Sequence, residues 1–247
     1  MNIVIPMAGR GSRLAGHPSG RPKPFIEVHG KPLWWWAASC LPLSSATRIV
    51  FVCLQEHLDE LEVADQFRTL LGDLPYVVHG LDAVTSGQLS TVLTVADHFD
   101  PDVPVVVYNA DSWLRQDHGE FTEALLTHDG VIGTASAPGD QWSFVRTNEA
   151  GLVTEIAEKR RISDTICTGL YAFRNPRLFV DRSQALVKQP SSTLGEHYVS
   201  GLYDLYLDEG CEITTLPAQS FHAIGTPEEL AAFSAATSSA DRAGASA

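Results

Sequence analysis

The sequence NIVIPMAGRGSRL occupies residues 2–14 and joins an apolar run to a loop rich in glycine and arginine. Residues 2–7 form an apolar run that suits a short buried strand, and Gly9 and Gly11 place a turn directly after it. Glycines let backbone N–H groups approach an anion closely, and Arg13 adds a positive charge. This stretch therefore predicts a strand followed by a phosphate-binding loop.

Two familiar phosphate-binding motifs do not describe this loop. A dinucleotide-binding fingerprint requires glycine where Leu14 stands, and a Walker loop requires Lys-Ser or Lys-Thr where the sequence has His17 and Pro18. A glycine-rich turn whose arginines have no binding role is the remaining alternative. The loop alone indicates an anion-binding site without naming the ligand.

The first half of the chain alternates strand-like and helix-like segments. β-Branched apolar runs predict strands, and apolar residues at helical spacing predict the helices between them. The expected strands are residues 2–7, 48–54, 75–79 and 103–108, and the expected helices are residues 31–41, 56–71 and 86–99. Strands that are apolar on both faces predict a three-layer α/β/α fold with a mostly parallel central sheet.

The second half differs because four strand candidates follow one another between residues 130 and 173. They cover residues 130–137, 142–148, 152–158 and 165–173, and we expect them to form a small β-rich insertion beside the site. Helices are expected at residues 176–187 and 196–209 and from Pro227, with a strand at residues 212–216. One domain would span residues 1–235. Residues 236–247 lack core-forming side chains and would form a disordered tail.

Charge excludes two classes of partner. The 247 residues include 17 basic and 30 acidic side chains, which gives a net charge of −13. Such a chain is not expected to present a surface that neutralises the phosphates of a nucleic acid, or a polybasic membrane surface. The first 31 residues depart from this average, because they carry one acid and five bases, Arg10, Arg13, Arg21, Lys23 and Lys31.

Cysteine, tryptophan and hydropathy patterns predict compartment and assembly. Cys40, Cys53, Cys167 and Cys211 show no paired or metal-binding spacing, which favours reduced thiols and a cytoplasmic protein. The start of the chain does not resemble a signal peptide, and no apolar run is long enough to span a membrane. Residues 34–36 are three tryptophans that would point in three directions on a helix, which predicts core packing and leaves a homodimer contact as an alternative.

The loop is followed by Pro22-Lys23-Pro24, and this order of strand, Gly-Arg loop and Lys-Pro carries a family resemblance. It resembles the sugar-1-phosphate nucleotidylyltransferases and related cytidylyltransferases, whose signature is Gly-x-Gly-x-Arg-Leu followed by Lys-Pro. The resemblance implies that Lys23 neutralises charge near the α-phosphate of an NTP or the departing pyrophosphate. It also implies that the triphosphate is held by the side chain of Arg13 and the loop residues Ala8, Gly9 and Gly11.

Two further segments extend the nucleotide site by the same resemblance. Asp111 follows the strand at residues 103–108, at the edge of the sheet where open α/β folds bind ligands. It corresponds to the family's magnesium-binding aspartate, and Mg²⁺ prefers carboxylate oxygens; a turn or cap is the alternative. Gly87 would lie against the base, with a helix cap as the alternative. Arg13, Lys23 and Asp111 are thus the catalytic candidates, with Mg²⁺ as cofactor.

Later segments resemble the part of the family site that binds the acceptor. Lys159 ends a Glu-Lys motif whose lysine contacts the acceptor phosphate, and a solvated surface charge is the alternative. Thr168 and Gly169 match a strand that lines the acceptor pocket. Glu196 matches a residue that contacts acceptor hydroxyls. The strands of residues 130–173 would then cover the acceptor.

One residue departs from the family pattern. Residues 221–228, Phe-His-Ala-Ile-Gly-Thr-Pro-Glu, resemble a segment in which a metal-binding aspartate stands at the position of Ala223. A methyl group cannot bind Mg²⁺. Either Asp111, the nucleotide and water hold the metal, or another carboxylate substitutes for the missing one.

The expected reaction is nucleotidyl transfer from CTP, GTP, UTP or dTTP to a small phosphorylated acceptor, with release of pyrophosphate. A sugar-1-phosphate is the first candidate acceptor. Ala223 and the sequence of residues 17–21 leave two alternatives. One is CMP transfer to a small non-sugar phosphate or phosphonate, and the other is a nucleotide-binding homologue without catalysis. The sequence does not select the base or the acceptor.

Overall fold

The computed structural model describes residues 1–61, 63–190 and 195–237. The strands in this part of the chain are β1 (Asn2–Pro6), β2 (Glu27–Val28), β3 (Lys31–Pro32), β4 (Arg48–Leu54), β5 (Tyr76–Leu81), β6 (Val105–Tyr108), β7 (Ser112–Arg115), β8 (Gly130–Ala135), β9 (Ser143–Thr147), β10 (Val153–Glu158), β11 (Ile166–Phe173), β12 (Ile213–Pro217) and β13 (Ser220–Ala223). The α-helices are α1 (Leu33–Ala38), α2 (Gln55–Leu61), α3 (Ala64–Leu71), α4 (Gln88–Leu93), α5 (His118–Thr127), α6 (Pro176–Val187), α7 (Leu202–Asp208) and α8 (Pro227–Ala236). None of these helices has the length and apolar character needed to cross a membrane.

Nine of these strands form one sheet. Its parallel half has the order β6-β1-β4-β5, and β11 adds antiparallel to β6. Beyond β11 the sheet divides, because β8 pairs with β11 and with β12, while the β9–β10 hairpin joins through Phe144 and Ile166. β1 therefore has β4 on one side and β6 on the other. Such a topological switch point is where open α/β sheets bind ligands.

Side chains of the central strands alternate between two buried faces. On β1, Ile3 and Ile5 belong to one core cluster and Val4 to the other, and β4 and β6 show the same alternation. Helices α1, α3, α5 and α8 cover the first face, and α4, α6 and α7 cover the second. Strands covered on both faces are apolar throughout. The predicted three-layer α/β/α fold with a largely parallel sheet is confirmed.

The predicted strands agree with the structure better than the predicted helices. β4 and α6 have the expected bounds. The helix expected at residues 56–71 is two helices, α2 and α3, and the helix expected at residues 86–99 ends at Leu93 before a 3-10 turn at Ala96–His98. The helix expected at residues 196–209 is a 3-10 turn at Val199–Gly201 followed by α7. β7, α5 and β13 were not predicted.

The β-rich region between residues 130 and 173 is continuous with the main sheet. β8 and β11 lie within that sheet, and β9 and β10 extend it as a hairpin. The expected insertion is therefore an extension of the central sheet. At the other end of the chain α8 stops at Ala236, and residues 238–247 of the expected tail lie outside the described residues.

The three tryptophans of α1 pack into the core of this chain. Trp34 stacks on Phe67 with ring centroids 4.2 Å apart, and Trp36 Nε1 donates a hydrogen bond to the Val28 carbonyl at 3.0 Å. All three indoles are at most 4% exposed. Core packing is confirmed, and these side chains leave no surface for the alternative homodimer contact.

The four cysteines are free thiols, as expected. Burial raises the pKa of Cys40 and of Cys53 to about 12, and burial also raises the pKa of Cys167 well above its usual value. A thiol with so high a pKa carries almost no thiolate at neutral pH. Cys167 therefore behaves as a small buried residue rather than as a nucleophile, although it lines the cleft described below.

Candidate active site

A cleft of about 760 Å³ lies beside the carboxyl ends of β1 and β6. The loop after β1, the start of α4, the end of β10 and the segment before α7 contribute to its walls. The residues that the sequence predicts to bind nucleotide, metal or acceptor all line this cleft, namely Ala8, Gly9, Gly11, Arg13, Lys23, Gly87, Asp111, Lys159, Thr168, Gly169 and Glu196. The fold thus brings them together, and their individual roles stay predictions.

The loop after β1 turns at Gly11, whose φ is +58°. A Cβ on this residue would lie 2.8 Å from the Cβ of Lys23, so a side chain here would force the loop away from the lysine. The 3-10 turn Ser12–Leu14 follows, with Leu14 buried and Arg13 exposed in the wall of the cleft. Packing against Lys23 therefore explains why residue 11 is glycine, while the Arg13 side chain is available to a ligand.

Lys23 and Asp111 form an ion pair although they are far apart in sequence. Lys23 Nζ donates to Asp111 Oδ2 at 2.6 Å, and the two side chains are only 15% and 27% exposed. Burial by itself would raise the pKa of the Asp111 carboxyl, but the charge and hydrogen bond of Lys23, together with the charge of Arg13, lower that pKa below its usual value. Asp111 is therefore ionised at neutral pH and faces a locally cationic environment.

The pairing of β7 with β13 fixes the position of Asp111. Its carbonyl accepts a hydrogen bond from Ile224 N at 2.9 Å, and Ala223 pairs with Ser112, the next residue after Asp111. Ala223, at the position where the resembling family segment has a metal-binding aspartate, thus lies beside Asp111. Its side chain at residue 223 is a methyl group that lines the cleft.

The protein groups at this point fit a magnesium ion that is shared with a nucleotide. Asp111 offers the hard carboxylate oxygen that Mg²⁺ prefers, whereas Ala223 offers no ligand. The described part of the chain contains no group of three or more His, Cys, Asp or Glu side chains placed to hold a metal ion. Because Mg²⁺ commonly keeps several waters and binds one or two carboxylates plus phosphate oxygens, Asp111 is compatible with such a site.

Gly87, the residue before α4, packs against the backbone of His197. A Cβ on Gly87 would lie 2.5 Å from His197 N and 2.7 Å from His197 O. Leu89 N also donates to the His197 carbonyl at 2.9 Å. The glycine is therefore required by a close backbone contact between the start of α4 and the segment before α7. Contact of Gly87 with the base stays a prediction.

Two amide side chains lie between these segments. Gln88 Nε2 donates to Asn109 Oδ1, and both residues line the cleft. Asn109 in turn packs against Gly169, which has a φ of +87° and where a Cβ would lie 2.4 Å from Asn109 Nδ2. Gly169 is therefore needed for this close approach. The amide pair joins the start of α4 to the end of β6.

Lys159 lies against Tyr198 in the part of the cleft formed by the end of β10 and the segment before α7. Its Nζ donates to the Tyr198 hydroxyl at 3.0 Å and lies 5.0 Å from the centroid of the ring. The hydrogen bond with Tyr198 raises the pKa of Lys159, and the charges of Glu158 and Glu196 act in the same direction against partial burial. Lys159 is thus a firmly protonated, exposed cation that can meet an anionic group.

Hydroxyl groups surround the neighbouring Glu158. Its Oε2 accepts hydrogen bonds from the hydroxyls of Ser143 and Ser200, the latter at 3.1 Å. The buried Thr168 hydroxyl has no hydrogen-bond partner among the described residues and also lines the cleft. A carboxylate with adjacent hydroxyls can exchange hydrogen bonds with a ligand that carries several hydroxyls.

Several polar residues of the cleft were not selected from the sequence, among them Gln88, Asn109, Glu158 and Glu229. Glu158 and Gln88 are direct neighbours of selected residues, so proximity in sequence was the available signal. Asn109 and Glu229 line the cleft without any such signal, because their positions depend on contacts between distant segments. The predicted residues and these polar residues line one cleft.

Comparisons with known proteins give the family and the relatives that the chain resembles. The sequence model of the family described as nucleotidyl transferase matches residues 3–232. The UTP–glucose-1-phosphate uridylyltransferase AglF of Haloferax volcanii is 28% identical over 240 residues, which cover 93% of each chain. The crystal structure of the nucleoside-diphosphate-sugar pyrophosphorylase from Vibrio cholerae RC9 is 28% identical, with a TM-score of 0.82 and coverage of 94% of this chain and 99% of that chain.

A third comparison concerns the fold alone. The inositol-1-phosphate CTP transferase from T. maritima has a TM-score of 0.71 at 16% identity, and the match covers 92% of this chain and 90% of that chain. The same architecture therefore occurs in an enzyme whose name refers to CTP and to inositol-1-phosphate.

Proposed function

Because the chain belongs to the nucleotidyl transferase family, we propose that it transfers a nucleotidyl group from an NTP to a sugar-1-phosphate and releases pyrophosphate. The observation that carries this proposal is the contact between Lys23 and Asp111 in a cleft whose other half contains Lys159. Two separated cations suit two phosphorylated substrates, and the carboxylate between the loop and the sheet suits a metal ion. The Haloferax relative, named for UTP and glucose-1-phosphate, supports the choice of acceptor.

The nucleotide half of the cleft acts by positioning and charge neutralisation. An oxygen of the acceptor phosphate attacks the α-phosphorus in line, the bond to the β-phosphate oxygen breaks, and pyrophosphate leaves with the electron pair of that bond. The attacking oxygen is already ionised, so no general base is required. Arg13 and Lys23 reduce the repulsion between the two anions and stabilise charge on the departing pyrophosphate.

Asp111 has two functions in this scheme. It orients Lys23 through the 2.6 Å hydrogen bond, and it would hold Mg²⁺. When bound, the metal would supply further neutralisation of phosphate charge.

The acceptor half of the cleft favours a sugar. Lys159, held by Tyr198, would contact the acceptor phosphate. Glu158 and the hydroxyls of Ser143, Ser200 and Thr168 would contact sugar hydroxyls, because a carboxylate accepts hydrogen bonds and a serine or threonine hydroxyl both accepts and donates them. A small acceptor without hydroxyls would leave the buried Thr168 hydroxyl, which has no partner among the described residues, unsatisfied, and this is costly.

The reaction is tested by measuring pyrophosphate release with CTP, GTP, UTP and dTTP, each against a panel of sugar-1-phosphates and small phosphates and phosphonates. We expect turnover with at least one sugar-1-phosphate. The departure at Ala223 makes CMP transfer to a non-sugar acceptor the second candidate, which turnover with CTP and phosphocholine or 2-aminoethylphosphonate alone would favour. Tight NTP binding without turnover on any acceptor would instead indicate a catalytically silent homologue.

Substitutions in the ion pair test the site itself. Lys23→Ala and Asp111→Asn should each lower turnover by about 10² or more, the usual effect of removing one electrostatic stabiliser. Lys188→Ala and Asp73→Asn change the same residue types outside the cleft and are the matched controls. Near-normal rates in both cleft variants would contradict the assignment.

A further inference from the structure

Gly225 lies where three charged side chains meet. A Cβ placed on this buried glycine would lie 3.3 Å from Asp111 Oδ2, 3.4 Å from Glu229 Oε2 and 3.5 Å from Lys23 Nζ. These three charged groups therefore lie close to the backbone of Gly225, which lines the cleft. The mechanism above assigns roles to Asp111 and Lys23 and none to Glu229.

The start of α8 determines where Glu229 lies. Thr226 precedes the helix, and its Oγ1 accepts a hydrogen bond from Glu229 N at 3.3 Å. Glu229 Oε2 reaches back and accepts a hydrogen bond from Gly225 N at 2.8 Å, a variant of the capping box in which the donor is the residue before the N-cap. A carboxylate has two oxygens with about four acceptor positions. Helix capping thus places Glu229 and leaves it able to accept a further ligand.

Two carboxylates, those of Asp111 and Glu229, lie at this point beside one lysine, while the charge of Arg13 also acts on Asp111. Lys23 Nζ contacts the Asp111 carboxylate, and within the described part of the chain no lysine or arginine forms an ion pair with Glu229. Partly buried carboxylates that lie close together are stabilised by a bound cation. A cation bound by both carboxylates would lie in the cleft whose wall also carries Arg13.

We propose that Asp111 and Glu229 together form the protein part of a divalent-cation site, in which Glu229 supplies the carboxylate that Ala223 cannot. Ala223 and Glu229 lie on either side of Gly225 in the chain, and both line the cleft. Mg²⁺ sites that serve phosphate chemistry use one or two carboxylates, which this pair provides. The inference rests on the proposed nucleotidyl transfer and assigns its metal site a second ligand.

Binding of Mn²⁺ to the full chain without nucleotide tests the inference, because Mn²⁺ accepts the same oxygen ligands and its free form is measured by EPR. Glu229→Gln keeps an oxygen that can accept the Gly225 hydrogen bond and removes the charge. We expect Mn²⁺ affinity to fall at least about tenfold in Glu229→Gln and in Asp111→Asn. Glu228→Gln alters the exposed neighbouring glutamate and should bind Mn²⁺ as the wild type does.

Unfolding midpoints establish that each variant is folded. Glu229→Asp withdraws the carboxylate by one methylene and is a second variant that we expect to weaken Mn²⁺ binding. The inference is overturned if Glu229→Gln binds Mn²⁺ as tightly as the wild type, or if the wild type binds no Mn²⁺ at millimolar concentrations. Pyrophosphate release by the same proteins separates the two claims. If the wild type turns over and Glu229→Gln binds Mn²⁺ with unchanged affinity, only the metal site is contradicted. If Mn²⁺ binding depends on Glu229 but the wild type shows no turnover, only the proposed function is contradicted.

Discussion

At the scale of single residues, the ion pair of Lys23 and Asp111 does most to define the site. The sequence identifies both residues as site candidates, because a Lys-Pro motif and an acid after a strand are local patterns. It does not predict that they share a 2.6 Å hydrogen bond, since that contact depends on how the loop after β1 packs beside the end of β6. Removing one partner of a pair this well shielded leaves the other charge without compensation, which is destabilising.

This pair predicts a pH-dependent difference in stability. At pH 7, Lys23→Ala should lower the free energy of unfolding by about 1–3 kcal/mol, because it leaves a largely buried carboxylate without its partner. The pKa of Asp111 is lowered in the folded protein, so the contribution of the pair is complete above the pKa of an unfolded aspartate, about 3.9, and is lost as the pH falls through the lower folded pKa. The difference between wild type and variant should therefore shrink toward acid pH.

Urea unfolding followed by tryptophan fluorescence over a pH series measures this difference. Lys188→Ala is the control, since its effect should not depend on pH in the acid range. A difference between wild type and Lys23→Ala that stays constant down to about pH 3 would show that the carboxylate is not what the lysine stabilises.

At the scale of elements, local patterns predict strands well and helix ends poorly. β4 is apolar along its whole length because both of its faces are covered, and this pattern fixes its bounds. The helix expected at residues 86–99 stops at Leu93 and continues as a 3-10 turn. Periods of 3.0 and 3.6 residues cannot be separated over so short a stretch. The pairing of β7 with β13 joins segments about one hundred residues apart, which no local pattern reveals.

The contact between the start of α4 and the segment before α7 links the two halves of the cleft. Gly87 belongs to the first segment, and His197 lies between Glu196 and Tyr198 in the second. Two backbone segments at this distance leave no room for a Cβ. The positions of Glu196 and Tyr198 therefore depend on the glycine before α4.

Gly87→Ala should weaken the binding of both substrates. The added Cβ would collide with the His197 backbone, so the segments must separate, and we expect a loss of about 1–3 kcal/mol in the free energy of unfolding. The KM values for NTP and for acceptor should both rise. Gly16→Ala is the matched control, because a Cβ there meets no atom within 4 Å. A rise in only one of the two KM values would mean that the contact does not couple the segments.

At the scale of the whole molecule, the cleft is assembled from segments spread along nearly the entire chain. The site residues identified from the sequence all line this cleft, because the carboxyl ends of β1 and β6 meet at the switch point of the sheet. Residues such as Glu158 were missed for a physical reason. Neighbours along a strand face opposite sides, and the positive φ of Lys159 ends β10 and lets both residues line the same cleft.

The separation of the two halves predicts that binding of the two substrates can be altered independently. Lys159→Ala should raise the KM for the acceptor at least about tenfold, since it removes a charged hydrogen-bond donor from one half only. The KM for NTP should change little, because Arg13, Lys23 and Asp111 remain. Arg160→Ala is the matched control, as this exposed neighbour pairs with Glu155 instead. Steady-state kinetics with each substrate varied in turn measures both constants, and an equal rise in both would mean that Lys159 supports the cleft as a whole rather than the acceptor phosphate.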